Sequence, residues 1–302
     1  MGAGHDHAVA SHVGARHRWR LAVAFALVAV FFVVELGWAL LTGSLALLSD
    51  AGHMAADVVA LGAALVATRV ASRPDTTGRR TYGSYRAEVF ASGLAVLLML
   101  GVAGYVVVEA LRRLGTPHDV QGGPMLVVGA AGLVVNVAAM LLLRGGAGES
   151  LNVRGAYLEV VADAAGSVGV IVAGLLVART GEPRWDTAVA LAIGAFVAVR
   201  AVTLGRQVLS VLAQHVPAGL EPGTVSADLA AIEGVGDVHD LHVWTLTSGM
   251  HVATAHLVSE PGADVRHILA EGRALLRDRH DIAHATLQVE PATGEGCLDT
   301  GW

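Results

Sequence analysis

The sequence predicts an α-helical membrane protein that ends in a small α+β domain. More than half of its 302 residues are apolar and only 15% are charged, whereas about 25% are charged in soluble domains. The apolar residues are concentrated before about residue 208, and the chain after it has the mixed composition of a soluble sequence. This shift in composition predicts a membrane part followed by a soluble part.

Six stretches of the first part have the length and composition of membrane spans, which need about 20 mostly apolar residues. They are 20–41, 45–68, 89–111, 123–143, 157–178 and 186–204. With the N-terminus inside, the inner segments before the last span hold ten arginines and the outer loops hold four. Because positive residues favour the cytoplasmic side, both termini are predicted to face the cytoplasm.

The soluble part alternates between helical and strand-like periodicity. Helices are predicted at 224–233 and 264–278, and strands at 238–246, 251–258 and 282–289. This order suggests a small α+β domain with an antiparallel sheet backed by helices. The predicted domains are a His-containing cytoplasmic tail (1–19), the membrane domain (20–207), the soluble domain (208–291) and a flexible tail (292–302).

Two of the predicted spans carry paired metal-ligand side chains. His53 and Asp57 lie four residues apart in the second span, and Glu159 and Asp163 lie four residues apart in the fifth. Side chains at i and i+4 share one face of a helix. Two such helices facing each other would direct four N/O ligands to one point, which is what a tetrahedral Zn²⁺ site requires.

The free-energy cost of burying these side chains in a membrane indicates that they have a function. A charged carboxylate at mid-bilayer costs about 2.5–3.5 kcal/mol even on the most lenient scale, so such groups face the protein interior and mark ion pathways. The alternative is that they only form polar contacts between helices. That alternative is more plausible for one isolated residue than for two paired sets in separate spans.

Several classes of function are disfavoured by the composition. The single cysteine, Cys297, excludes an intramolecular disulfide and any CxxC site. A net charge of −6 with scattered arginines is not the footprint of a nucleic-acid-binding protein. Neither a phosphate-binding glycine loop nor a nucleophile with a base at motif spacing is present, so an enzyme is not expected.

Four stretches resemble the cation diffusion facilitator family, in its branch of cobalt-zinc-cadmium exporters. They are Ser-Leu-Ala-Leu-Leu-Ser-Asp-Ala-Gly-His-Met-Ala-Ala-Asp at 44–57, Arg-Thr-Tyr-Gly-Ser-Tyr-Arg-Ala-Glu at 80–88, Asn-Val-Arg-Gly-Ala-Tyr-Leu-Glu-Val-Val-Ala-Asp at 152–163, and Val-His-Asp-Leu-His-Val-Trp at 238–244. The resemblance covers residues 18–291.

The resemblance implies six transmembrane helices, a ferredoxin-like cytoplasmic domain, homodimerisation and proton-coupled metal export across the bacterial inner membrane. The implied partners are membrane lipid, a second copy of the chain, divalent metal ions and protons, without nucleic acid or an organic cofactor. The implied transport site is His53, Asp57, Glu159 and Asp163. Zn²⁺ is the first expected substrate, with Cd²⁺, Co²⁺ and Ni²⁺ as further candidates.

Glu159 departs from the pattern of many zinc transporters of the family, which have histidine at this position. A carboxylate in place of a nitrogen ligand would broaden selectivity toward Cd²⁺, Co²⁺ or Ni²⁺. A non-transporting metal sensor and a passive metal channel remain alternatives. Measured metal flux would separate a transporter from a sensor, and dependence of that flux on a pH gradient would separate it from a channel.

The resemblance also implies a regulatory zinc site in the soluble domain. His239, His256 and Glu290 match metal-binding positions of relatives, and His267 matches another metal-contacting position. On the predicted strands, the first three can converge. A position near the end of the third strand that is histidine in some relatives is Gln288 here, which argues against a two-metal version.

Overall fold

The architecture is described from a computed structural model of the chain. The structure describes residues 11–71, 81–113, 120–145, 151–247 and 249–292, without the side chains of 11–18, 60–71 and 151–155. The first part of the predicted N-terminal tail, 1–10, and most of the predicted C-terminal tail lie outside the described residues. The chain divides into two compact units, Met1–Leu65 with Ala91–Gly205 and Val66–Phe90 with Arg206–Trp302.

Among the described residues, six long helices account for most of the N-terminal two thirds of the chain. They are α1 (Ser11–Thr42), α2 (Leu45–Ala71), α3 (Ala87–Arg113), α4 (Gly122–Arg144), α5 (Leu151–Thr180) and α6 (Arg184–Leu212). In the part of the chain that the structure describes, α1, α3, α4, α5 and α6 contain stretches long and apolar enough to cross a membrane. The predicted span at 45–68 coincides with α2, whose side chains are described only as far as Val59.

Glycines allow helices α4 and α5 to pack with their backbones in contact. A Cβ atom at Gly122 would lie 2.8 Å from the carbonyl oxygen of Gly174, and one at Gly174 would lie 3.1 Å from the carbonyl oxygen of Gly122. Small residues permit this approach between membrane helices, which attract each other mainly through close packing. Further along the same interface, Asn136 of α4 donates a hydrogen bond to Ser167 of α5 at 3.3 Å.

The buried carboxylate of Asp186, in the first turn of α6, anchors the start of α2. It accepts hydrogen bonds from the backbone N–H groups of Leu45 (2.7 Å) and Ala46 (3.1 Å) and from the hydroxyl of Ser44 (2.6 Å). The first amide groups of a helix lack intrahelical partners, and the helix dipole favours a negative charge there. Asp186 therefore fixes the start of α2, the helix that carries His53 and Asp57.

The described residues after α6 form a three-stranded sheet and two helices, called the C-terminal unit below. Its elements are α7 (Pro222–Ala230), β1 (Val235–Thr247), β2 (Met250–Ser259), α8 (Val265–His280) and β3 (His284–Pro291), and the strand order is β1-β2-β3. Its core includes Leu229 of α7, Leu257 of β2, and Ile268 and Leu276 of α8, all fully buried. The predicted helices and strands of this part are all present, with boundaries that differ by a few residues.

The prediction of an antiparallel sheet is wrong for one of the two strand pairs. β1 and β2 form an antiparallel hairpin, but β3 pairs with β2 in parallel. The physical reason is the connection, because α8 carries the chain back across the domain before β3 begins. A helical crossover returns the next strand in the same direction, whereas a short turn reverses it.

We expect Asp186→Asn to lower the free energy of unfolding by about 2 kcal/mol, because the three hydrogen bonds at the start of α2 lose their charged acceptor. The apparent melting temperature of the purified protein in detergent measures this loss. Glu182→Gln is the matched control, since Glu182 pairs with Arg184 at an exposed site where ion pairs contribute little. Equal melting temperatures for the two variants would contradict the anchoring role of Asp186.

Candidate metal centres

Three of the four predicted transport ligands converge inside the bundle of long helices, called the membrane unit below. His53 and Asp57 of α2 and Asp163 of α5 each offer a ligand atom, and these atoms all lie within 4.8 Å of one another. The Nε2 atom of His53 is 3.7 Å from Oδ2 of Asp57 and 3.5 Å from Oδ1 of Asp163. His53 and Asp163 are almost completely buried.

These distances fit a cation better than direct hydrogen bonding. Both are too long for a hydrogen bond between nitrogen and oxygen. Zinc–nitrogen and zinc–oxygen bonds of about 2.0–2.2 Å place the ligand atoms of a tetrahedral site roughly 3.4 Å apart. Oδ2 of Asp57 and Oδ1 of Asp163 are also buried without a hydrogen-bond partner among the residues that the structure describes. The arrangement therefore suits a small divalent cation between the three groups.

The fourth predicted ligand, Glu159, lies outside this cluster. It is one turn before Asp163 on α5, and its side chain remains 44% exposed. Its carboxylate is paired with the guanidinium group of Arg200 on α6, which also contacts Nε2 of His53 at 2.8 Å. Sequence reasoning missed Arg200, although a charged residue in a predicted span is itself a signal of function.

Glycines on both ligand-bearing helices permit close packing beside the cluster. A Cβ atom at Gly52, next to His53, would lie 2.3 Å from Val102 of α3. A Cβ atom at Gly166, three residues after Asp163, would lie 2.2 Å from Oδ1 of Asp50. Each glycine thus permits a close approach that a larger residue would prevent.

A second group of buried polar side chains lies within the same unit. Glu35 of α1 and Asp50 of α2 are each 1% exposed, and Asn136 is fully buried. Both carboxylate oxygens of Glu35 lack a hydrogen-bond donor among the described residues. Asp50 does not belong to the ligand cluster around His53, although it lies one turn before it on α2.

A separate cluster forms on the sheet of the C-terminal unit. His239 of β1 lies directly opposite His256 of β2, and their rings meet edge to face with centroids 5.3 Å apart. Glu290 of β3 brings Oε2 to 3.5 Å from His239 and Oε1 to 3.0 Å from His256. The three ligand atoms lie within 4.8 Å of one another, and partial exposure leaves the cluster accessible to solvent ions.

Asp240 is an additional acidic neighbour that the strand pattern does not reveal. Alternation along β1 would turn it away from His239, but the register shifts between His239 and His242. Asp240 takes a left-handed backbone conformation at this bulge (φ 51°), and its carboxylate reaches 3.9 Å from His256. Bulges redirect side chains in this way, and aspartate tolerates positive φ better than most residues.

His267 and Gln288 do not contribute ligands to this cluster. His267 is exposed on α8 and is not part of it. Gln288 pairs with His256 in the sheet and donates a hydrogen bond to Oε1 of Glu290 at 2.8 Å. The structure thus brings together three of the four residues expected here, and the amide of Gln288 is engaged with the carboxylate of Glu290.

Buried acidic and histidine side chains that converge in a bundle of apolar helices are typical of a membrane protein that handles metal cations. In agreement with this, a family model described as the cation efflux transmembrane domain matches residues 21–213, and one described as the cytoplasmic domain of cation efflux proteins matches residues 217–292. The chain belongs to the cation diffusion facilitator family, in its cobalt-zinc-cadmium branch.

Similar proteins extend over almost the whole chain. The metal cation efflux system protein CzcD of Cupriavidus metallidurans is 41% identical over 98% of this chain and 92% of its own length. The zinc transporter ZitB of Escherichia coli is 36% identical over 92% of this chain and 90% of its own length. The cadmium, cobalt and zinc/H⁺-K⁺ antiporter of Bacillus velezensis is 31% identical over 96% of this chain and 92% of its own length. The solved metal-bound C-terminal domain of the CzcD transporter from C. metallidurans is 36% identical, covering 24% of this chain and 99% of that one, with a TM-score of 0.23.

These relationships identify an integral membrane transporter for divalent metal cation efflux, not an enzyme. Its helical membrane domain is followed by a cytoplasmic domain that contains the small sheet.

We expect the double variant His239→Ala/His256→Ala to bind about one zinc ion fewer per chain than the wild type, because it loses both nitrogen ligands of the sheet cluster. Equilibrium dialysis of the full chain with metal analysis measures the stoichiometry. The control is His267→Ala, which removes an exposed histidine outside the cluster. A loss with His267→Ala as large as with the double variant would contradict this assignment.

Proposed function

We propose that this protein is a proton-coupled antiporter that exports Zn²⁺ from the cytoplasm, with Cd²⁺, Co²⁺ and Ni²⁺ as further substrates. The convergence of His53, Asp57 and Asp163 inside the membrane unit carries this proposal. Glu159 is the proposed fourth ligand, joining when its present partner releases it. One nitrogen and three carboxylate oxygens would leave the site open to borderline metals as well as to zinc.

Proton coupling follows from the chemistry of the ligands. A histidine or carboxylate must be deprotonated to bind metal, so metal binding releases protons and protons displace metal. If the site opens alternately to each side of the membrane, entering protons displace the metal outward, and the proton gradient drives export. The Bacillus velezensis relative is a cadmium, cobalt and zinc/H⁺-K⁺ antiporter by name, which supports this coupling.

We further infer six transmembrane spans, with α2 as the second, and both termini in the cytoplasm of a bacterial inner membrane. An even number of spans agrees with the arginine asymmetry and with a cytoplasmic C-terminal domain. The proposed domain boundaries are 1–19, 20–207, 208–291 and 292–302, and the soluble domain is proposed to be ferredoxin-like.

The C-terminal domain is proposed to dimerise and to sense cytoplasmic metal. The second family model, that of the cytoplasmic domain, is named for dimerisation, which supports a homodimer. Zinc at His239, His256 and Glu290 would bridge β1, β2 and β3 across one face of the sheet. Such a bridge would couple cytoplasmic metal concentration to the arrangement of the dimer, because a metal that binds one arrangement more tightly shifts the population toward it.

Metal uptake into proteoliposomes tests the proposal. Zn²⁺, Cd²⁺, Co²⁺ and Mn²⁺ are supplied separately to vesicles containing the wild-type protein, with and without an imposed pH gradient. Zn²⁺ flux is expected to rise with the gradient. Flux that is indifferent to pH would indicate a passive channel, and the absence of flux for every metal would favour a non-transporting sensor.

In the same assay, Asp57→Ala and Asp163→Ala are each expected to lower Zn²⁺ flux by more than about 100-fold. Loss of a residue that only hydrogen-bonds a metal ligand lowers metal affinity or activity by about 10- to 100-fold. Loss of a direct ligand should therefore lower the flux by more. Glu182→Gln, which changes an exposed carboxylate in the turn before α6, is the control and should transport normally. Wild-type flux in either aspartate variant would rule out this site assignment.

A further inference from the structure

Arg200 places a fixed positive charge against the proposed transport site. It lies on α6, and its side chain is 24% exposed. One guanidinium nitrogen lies 2.8 Å from Nε2 of His53, and the other forms an ion pair with Glu159. Arg200 therefore bridges α2 and α5 through two of the four proposed metal ligands.

The chemistry of arginine decides the hydrogen-bond roles in this contact. A guanidinium group only donates hydrogen bonds and does not lose its proton in proteins. Nε2 of His53 must therefore accept the hydrogen bond, and the ring proton must sit on Nδ1. This is also the tautomer that a metal bound at Nε2 requires.

The same contact excludes the metal from His53. The accepting nitrogen of a neutral imidazole has one lone pair, which cannot serve a hydrogen bond and a metal bond together. Nε2 is also the atom that faces Asp57 and Asp163. A metal ion at the centre of the cluster must take the lone pair that Arg200 now occupies, so the two cations compete for one position.

The competition also explains the position of Glu159. The carboxylate is held by Arg200 and lies outside the ligand cluster. When the guanidinium withdraws, Glu159 loses its counter-ion and His53 regains its lone pair at the same time. Two ligands thus become available in one movement.

We propose that Arg200 is a tethered counter-cation of the transport site, which balances the charge of Glu159 and occupies Nε2 of His53 in the absence of metal, and which the metal must displace. The proposal rests on the proposed transport function and deepens it. Because Arg200 is attached covalently to α6, it stays beside the site when metal binds. Arg200 therefore lowers the apparent affinity of the site for metal and favours release of the metal after transport. If Arg200 engages the site for nine-tenths of the time, the apparent dissociation constant is raised about tenfold.

Zn²⁺ affinity of the purified full chain in detergent tests the proposal, measured by competition with a fluorescent chelator. The background carries His239→Ala and His256→Ala, so that the sheet cluster does not contribute. Arg200→Gln is expected to bind Zn²⁺ at least about tenfold more tightly. Arg200→Lys keeps the charge but has a single nitrogen in place of the two that reach His53 and Glu159. Its Zn²⁺ affinity should lie between those of Arg200→Gln and the parent. Arg206→Gln, the same exchange at an exposed position of α6, should not change the affinity.

Unchanged or weaker Zn²⁺ binding by Arg200→Gln would overturn the proposal. Arg200→Met repeats the test with an apolar chain of similar length, and melting curves identify any variant that does not fold. In the vesicle assay, Arg200→Gln should lower KM for Zn²⁺ and also lower kcat, because tighter binding delays release. A fall in kcat with KM unchanged would indicate a merely structural role and contradict the proposal.

Failure of this proposal can be distinguished from failure of the proposed function. If Asp57→Ala binds Zn²⁺ in detergent as tightly as the parent protein, the transport site itself is wrongly assigned. If Asp57→Ala abolishes binding but Arg200→Gln leaves the affinity unchanged, the site stands and only the role of Arg200 is refuted.

Discussion

Positive charge must reach the buried carboxylates of the membrane unit, and much of its architecture follows from that requirement. Asp57 and Asp163 face Nε2 of His53 at distances too long for hydrogen bonds, in surroundings where an uncompensated charge is expensive. A divalent cation can satisfy all three groups together. In the absence of metal, the guanidinium of Arg200 supplies positive charge at the edge of the same site.

The spacing of the ligands depends on contacts at a distance from them. Asp186 holds the first turn of α2 in place. Because the helix is continuous, this contact also fixes the positions of His53 and Asp57 further along it. Gly52 and Gly166 then set how closely α2 approaches its neighbours. Because α6 provides both Asp186 and Arg200, it contacts α2 at its start and at its ligands. A shift of α6 would therefore act directly on the metal site.

Patterns within single elements predict much of this structure. Apolar length marks the long helices, and the i, i+4 spacing identifies His53 with Asp57 and Glu159 with Asp163. Contacts between elements are less accessible from sequence. The partner of Glu159 is Arg200, forty-one positions away, and no local rule selects one arginine among twenty. Asp240 contacts His256 only because a bulge interrupts the alternation of β1, and the parallel pairing of β3 depends on the path of the chain through α8.

X-ray absorption spectroscopy at the zinc edge tests the central claim most directly, namely that metal binds between His53, Asp57 and Asp163. The sample is the full chain with His239→Ala and His256→Ala, loaded with one Zn²⁺ per chain. We predict about four nitrogen or oxygen ligands at roughly 2.0 Å, with the scattering pattern of a single imidazole that disappears in His53→Ala. Two or more imidazoles, or a spectrum unaffected by His53→Ala, would contradict the account.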